Sequence, residues 1–143
     1  MLKPLLLLNS LKIFTLKYIY TKMKHFTTTD ETLNSIKENP TFISGFTSGE
    51  GCFTAYLGID PGCDWGIQPS CEFSITQSTG DFNLLEAFNQ FFKTKGGKVY
   101  DKKDGVSVFM IRNIIEINNK IIPFYKNYPL VCTKSYKFEN FSF

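Results

Sequence analysis

The sequence is poor in the residues that build metal centres and cross-linked scaffolds. It has one histidine, His25, and four cysteines, Cys52, Cys63, Cys71 and Cys132, with no two in C-x-x-C spacing. This argues against a structural zinc site, and thiols so scattered read as those of a reduced, intracellular protein. Long apolar runs are also missing. None approaches the roughly 20 residues that span a bilayer, so no membrane partner is expected. No internal repeat is visible. Charge of one sign is scarce where it would matter: the net charge is +3, but residues 1–39 carry six lysines against three acids, while 40–143 balance ten basic residues with ten acidic ones. The surplus lies outside the apparent domain. Overall basicity is therefore no evidence of a nucleic-acid surface, which would have to come from local segregation of charge.

Acids are absent before Asp30, and Lys3, Lys12, Lys17, Lys22 and Lys24 interrupt the apolar runs of the first 25 residues. A mitochondrial presequence has this character but is typically richer in arginine. Translated upstream sequence or the remnant of a preceding domain fits as well, and both readings stay open. Thr27 to Glu38 is polar and reads as a linker, which makes 1–38 an extension and 39–143 the domain. A chain of 143 residues is one domain's length, with mass enough for a core. Phenylalanine is abundant, and with Lys, Asn, Ile and Tyr it belongs to AT-rich codons. An organellar genome, mitochondrial above all, would give this bias, as would other AT-rich genomes.

What the chain does have is the stretch from Asn39 to Gly51. Asn39 can cap a helix, Pro40 fits its first position, and Gly51 suits its stop, where a left-handed residue is usual. Gly45 and Gly49 stand four apart on one face, flanked by Ser44 and Ser48. A mid-helix glycine costs about 1 kcal/mol against alanine, so two of them ask for compensation. Close approach of a second backbone along Ser44, Gly45, Ser48 and Gly49 supplies it. A like helix would bring a second carboxylate beside Glu50, making an oxygen-rich site for a divalent cation.

The run Ile43-Ser44-Gly45-Phe46-Thr47-Ser48-Gly49-Glu50-Gly51 resembles the signature of the LAGLIDADG homing endonucleases, with Glu50 at the metal-binding carboxylate. It departs from the consensus at Ser48, where a first aspartate would stand. With Cys52 and Phe53 it is most similar to the second motif of two-motif members. The resemblance implies an α+β fold, the αββαββα core, with an antiparallel sheet as a DNA-binding saddle.

The following pattern fits that order. Phe53, Ala55, Leu57 and Ile59 alternate with Thr54, Tyr56, Gly58 and Asp60. After a turn at Pro61-Gly62-Cys63-Asp64, Ile67, Cys71, Phe73 and Ile75 alternate with Gln68, Ser70, Glu72, Ser74 and Thr76. This predicts a hairpin with one buried and one wet face. Such a ribbon can lie in a major groove, which points to Gln68, Ser70, Glu72 and Ser74 as base-contacting residues. On pattern alone a solvated face fits better, and only the preceding motif decides.

Ser78-Thr79-Gly80-Asp81 opens a helix with the apolar stripe Leu84, Leu85, Phe88, Phe91 and Phe92, ended at Gly96-Gly97. A second hairpin turns around Lys102-Lys103-Asp104-Gly105. Lys93, Lys95, Lys98, Lys102, Lys103 and Arg112 cluster there and would suit phosphates, or simply water. Ile114, Ile117 and Ile121 mark a short helix ended near Pro123. Phe138, Phe141 and Phe143 begin a last one that stops after barely two turns, which favours a truncated C-terminus.

The resemblance further implies roles. Phe73-Ser74-Ile75-Thr76-Gln77 is similar to the strand end whose glutamine organises water and metal, giving Gln77. Lys120 to Phe124 and Tyr128-Pro129-Leu130 are similar to the stretch before the active-site lysine, giving Lys134. Mg²⁺ would be held by Glu50 and the Gly49 carbonyl, with Glu50, Gln77 and Lys134 forming the catalytic set. The expected function is Mg²⁺-dependent, site-specific cleavage of double-stranded DNA in association with a mobile intron. An RNA-binding intron maturase and an inactive fragment are the alternatives. One motif gives one carboxylate, so either a homodimer or a second LAGLIDADG half must complete the site.

Overall fold

A computed structural model describes residues 28–142. The reading of the first 27 residues as presequence or remnant lies outside them, as does Phe143. Four antiparallel strands form one sheet in the order β1-β2-β4-β3. They are β1 (Gly51–Ile59), β2 (Ile67–Ser78), β3 (Lys98–Lys102) and β4 (Val106–Ile111). The helices are α1 (Thr29–Glu38), α2 (Thr41–Glu50), α3 (Phe82–Phe92), α4 (Ile114–Glu116), α5 (Ile122–Asn127) and α6 (Thr133–Phe141). From α2 onward the order is that of an αββαββα core.

The helices meet the sheet face that carries Phe73, Ile75, Phe109 and Ile111, all fully buried. Phenylalanines fill the space between. The Phe53 ring lies 5.1 Å from Phe73 and meets Tyr125 edge-on at 5.7 Å, and Tyr125 meets Phe138 at 5.7 Å. Edge-to-face aromatic pairs add stability beyond their buried area. The α3 stripe behaves as its spacing predicts, with Leu85, Phe88 and Phe92 buried.

Several sequence expectations change. Residues 29–38, read as linker, form α1, capped by the Thr28 hydroxyl and packed on α3 through the buried Thr32 and Ile36. Ten mostly polar residues need only this narrow stripe to dock. Helix α3 ends at Lys93 in a left-handed conformation, before Gly96-Gly97. Pro123 does not end a helix. A π turn (Ile117–Ile121) carries α4 into α5, and Pro123 falls in the first turn of α5, where its missing N–H is tolerated. Glu116 braces this region, accepting the Lys95 and Gly96 amides at 2.7 Å and the Lys120 ammonium at 3.0 Å.

The first hairpin forms as the alternation predicts, and its register sets Phe53 opposite Phe73 and Thr54 opposite Glu72. Its two-faced character holds only near the helices. At the far end Leu57, Ile59 and Ile67 are 69, 88 and 49% exposed, because no described element covers them. Pro69 is accommodated there because β4 pairs only with residues 73–78 of β2.

Candidate active site

Helix α2 meets β1 at Gly51, and two of the three candidate catalytic residues, Glu50 and Lys134, meet the chain at that junction. Asn39 does not cap the helix through its amide. Its carbonyl accepts the Phe42 N–H, its side chain takes the Thr41 hydroxyl, and Pro40 already has helical dihedrals. Gly51 is required for space rather than for handedness. Its φ of −75° is ordinary extended backbone, but a Cβ there would lie 2.3 Å from Thr47 Cγ2 and 2.7 Å from the Thr47 carbonyl. The strand therefore leaves the helix with no room for a side chain, and the residue before it, Glu50, is thrown outward and exposed.

The inner side of α2 is fixed by hydroxyls. Thr47 Oγ1 and the buried Tyr125 Oη share a hydrogen bond of 2.7 Å. Burial pushes the Tyr125 phenol well above its usual range, so it stays neutral. Ser44 Oγ donates to the Tyr128 carbonyl at 2.7 Å. Ser48 Oγ donates to the Ser44 carbonyl at 2.7 Å and accepts the Val131 N–H at 3.1 Å. The two serines, expected at a helix interface, thus clamp residues 128–131 of their own chain. A hydroxyl at 48 does both at once, donating to a carbonyl and accepting an amide, whereas an ionised acid could only accept.

That clamped segment leads into α6. Cys132, at the α6 start, has φ 59° and ψ −151°, a combination rare outside glycine and costing of order 1–3 kcal/mol. Two residues on, the Lys134 ammonium donates to the Gly51 carbonyl, next to Glu50. A residue 84 positions away in sequence is brought beside the motif's acid. Glu50 itself stands at the C-terminal, negative end of a helix whose last turn has no basic residue. A carboxylate there opposes the helix dipole by about 0.3–1 kcal/mol, and a cation offsets it.

Gln77 is less closely joined. It is half-buried, two residues past Ile75, the partner of Gly51, on the helix-facing side of β2. That is roughly 7 Å along the strand. Its Oε1 accepts the N–H of Ser78 at 2.9 Å, a contact that leaves its amide nitrogen available.

The donors present suit a hard divalent cation: an exposed carboxylate and helix-end carbonyls, all oxygen. They include a single carboxylate. Among the described residues no three His, Cys, Asp or Glu side chains come together. On the outer side of α2, Gly45 and Gly49 are exposed, and a Cβ at either would meet nothing within 4 Å.

The sheet face turned away from the helices holds Gln68, Ser70, Glu72 and Ser74 in the predicted order. Gln68 is exposed, whereas Ser74 is 9% exposed beside Met110. Glu72 is engaged, accepting the Arg112 Nε–H at 2.8 Å. By register, Lys98 and Lys102 lie on this same face. Arg112 was one member of a lysine-rich cluster in the sequence. Only the β2–β4 register reveals that it stands beside Glu72.

Comparisons with known proteins agree with this geometry. The chain is 31% identical over 98 residues to the "Probable intron-encoded endonuclease 2" of Neurospora crassa, covering 67% of this chain and 21% of that protein. The meganuclease I-SmaMI bound to uncleaveable DNA superposes with a TM-score of 0.68 at 27% identity, over 72% of this chain and 35% of that one. I-SmaMI has also been solved with an uncleaved DNA target in the presence of calcium ions. The homing endonuclease I-TnaI superposes with a TM-score of 0.67 at 30% identity, over 72% of this chain and 68% of that one. The chain thus spans about a fifth of the Neurospora relative and about a third of I-SmaMI. The LAGLIDADG endonuclease profile matches residues 43–142, and the chain belongs to that family.

Proposed function

We propose that this chain supplies one half of a site-specific homing endonuclease that hydrolyses phosphodiesters in double-stranded DNA with Mg²⁺, in association with a mobile intron. The observation that carries the reading is the Lys134 ammonium on the Gly51 carbonyl beside the exposed Glu50. Phosphodiester hydrolysis needs an activated water, neutralisation of the charge growing on phosphorus, and help for the departing oxygen. A divalent cation, when bound, supplies Lewis acidity and in-line positioning. Glu50 and the Gly49 carbonyl hold that cation. Lys134 keeps a positive charge next to the scissile phosphate. Gln77, through its free amide nitrogen, orients the water. The polar sheet face, with Gln68, Ser70 and the Lys98–Lys102 edge, lies along the duplex.

One carboxylate is half of what the chemistry uses, so the second comes from across the Gly45–Gly49 face. A second copy would favour a near-palindromic target, and another LAGLIDADG half an asymmetric one. The bias toward amino acids with AT-rich codons and the intron-encoded relative support an organellar gene, mitochondrial in this reading.

The test is cleavage of a duplex spanning the intronless insertion region of the protein's own gene, with Mg²⁺ and with chelator, comparing wild type and Glu50→Gln. Cleavage that needs both the cation and Glu50 supports the nuclease. No cleavage by folded wild type sinks it for this chain alone. Binding of the intron RNA would then favour a maturase, and its absence an inactive fragment.

A further inference from the structure

Arg112 is the only arginine in a chain whose other basic residues of this class are all lysine. It follows β4 directly and continues the outward series Val106, Val108, Met110. Its side chain is 65% exposed, while that of Glu72, whose carboxylate accepts its Nε–H at 2.8 Å, is only 19% exposed. The hydrogen bond and the charge of Glu72 together raise the guanidinium's already high pKa, so it is permanently charged. As a stability device the pair is weak. Exposed ion pairs contribute between nothing and about one kcal/mol. Its geometric effect is larger. Holding Nε fixes the plane of the guanidinium and leaves the edge formed by the two Nη groups free.

Two parallel N–H donors at fixed spacing match two acceptors on one planar edge. In the major groove that pair is O6 and N7 of guanine. Lysine, a point charge on a flexible stem, cannot reproduce this. Around the pair, Thr54 faces Glu72 across β1, and Ser70 and Ser74 flank it on β2. Tyr56 and Tyr100 approach from the same face, the Tyr100 hydroxyl donating to Met110 Sδ, but each offers a single donor, whereas the guanidinium edge offers two in parallel.

Resting on the DNA reading above, we propose that Arg112 reads a guanine in the major groove of the target, and that Glu72 is its positioning residue rather than a base contact. Glu72 holds the guanidinium flat, and the negative charge it brings discourages loose phosphate binding by the same arginine.

The test is selection from a randomised duplex pool by the full chain as wild type, Arg112→Lys and Glu72→Ala, each checked by melting. Wild type should enrich a motif with one guanine column favoured about 10-fold or more over other bases. Arg112→Lys should flatten that column alone, the other columns and the salt dependence of binding staying as in wild type. Glu72→Ala should soften the same column while total affinity at low salt stays equal or rises, an outcome that simple loss of folding cannot produce. An unchanged motif in Arg112→Lys overturns the inference and leaves the DNA reading standing. So does a uniform loss across all columns, which would make Arg112 a phosphate contact. If wild type enriches no duplex at all, the DNA reading falls and this inference with it.

Discussion

The two sides of α2 differ more than any other pair of surfaces in the molecule. On the inner side every polar group has a partner within the chain: Thr47 with Tyr125, Ser44 with Tyr128, Ser48 with Val131. On the outer side Gly45 and Gly49 face open space, and Glu50 ends the helix against its own dipole. The inner side repays its ordering with hydrogen bonds and buried area. The outer side costs stability at three positions and recovers none of it among the described residues. An arrangement that a lone domain would be better without is what the proposed pairing and cation site would put to use.

That contrast can be broken most severely at its hinge. Gly51→Ala drives a methyl into Thr47, and overpacking of this kind costs about 1–3 kcal/mol or more. The melting temperature should fall by several degrees or more, with the α2–β1 junction losing amide-exchange protection first. Next is the inner side. Thr47→Val leaves the Tyr125 hydroxyl buried without its partner, a loss of about 1–3 kcal/mol read in denaturant midpoints. On the outer side the sign reverses. Glu50→Gln removes a charge that opposes the helix dipole, so the protein should melt slightly higher, by up to about 1 kcal/mol, while cleavage is lost. A Glu50→Gln protein that melts lower would mean that Glu50 serves the fold.

Much of this was legible in the sequence. The glycine spacing, the acid before Gly51 and the strand alternation point to the motif helix and to the two faces of the first hairpin, because local periodicity decides both. Lys134 could be named only through the resemblance, since nothing local links it to Gly51. The serines' partners in the 128–131 segment were not legible, because a helix-face pattern does not say which part of the chain packs beside it. Likewise, alternation predicted a buried face along the whole hairpin, whereas burial depends on what lies opposite, and no described element covers Leu57 and Ile59. Linker and helix were confused at 29–38 for a related reason: a stripe of Thr32 and Ile36 is too thin to announce itself. Arg112 needed the strand pairing before its partner could be seen.

The most direct test of the account is Gly45→Ala, with melting, sedimentation and cleavage read on one preparation. Alone, the chain has room for the methyl and should gain about 0.5–1 kcal/mol, melting higher. In the proposed pairing the same methyl holds two helices apart, so self-association and metal-dependent cleavage should both fall, by tenfold or more in rate. A variant that melts higher and yet associates and cleaves as wild type would contradict the claim that the open side of α2 is where the second half of the site docks.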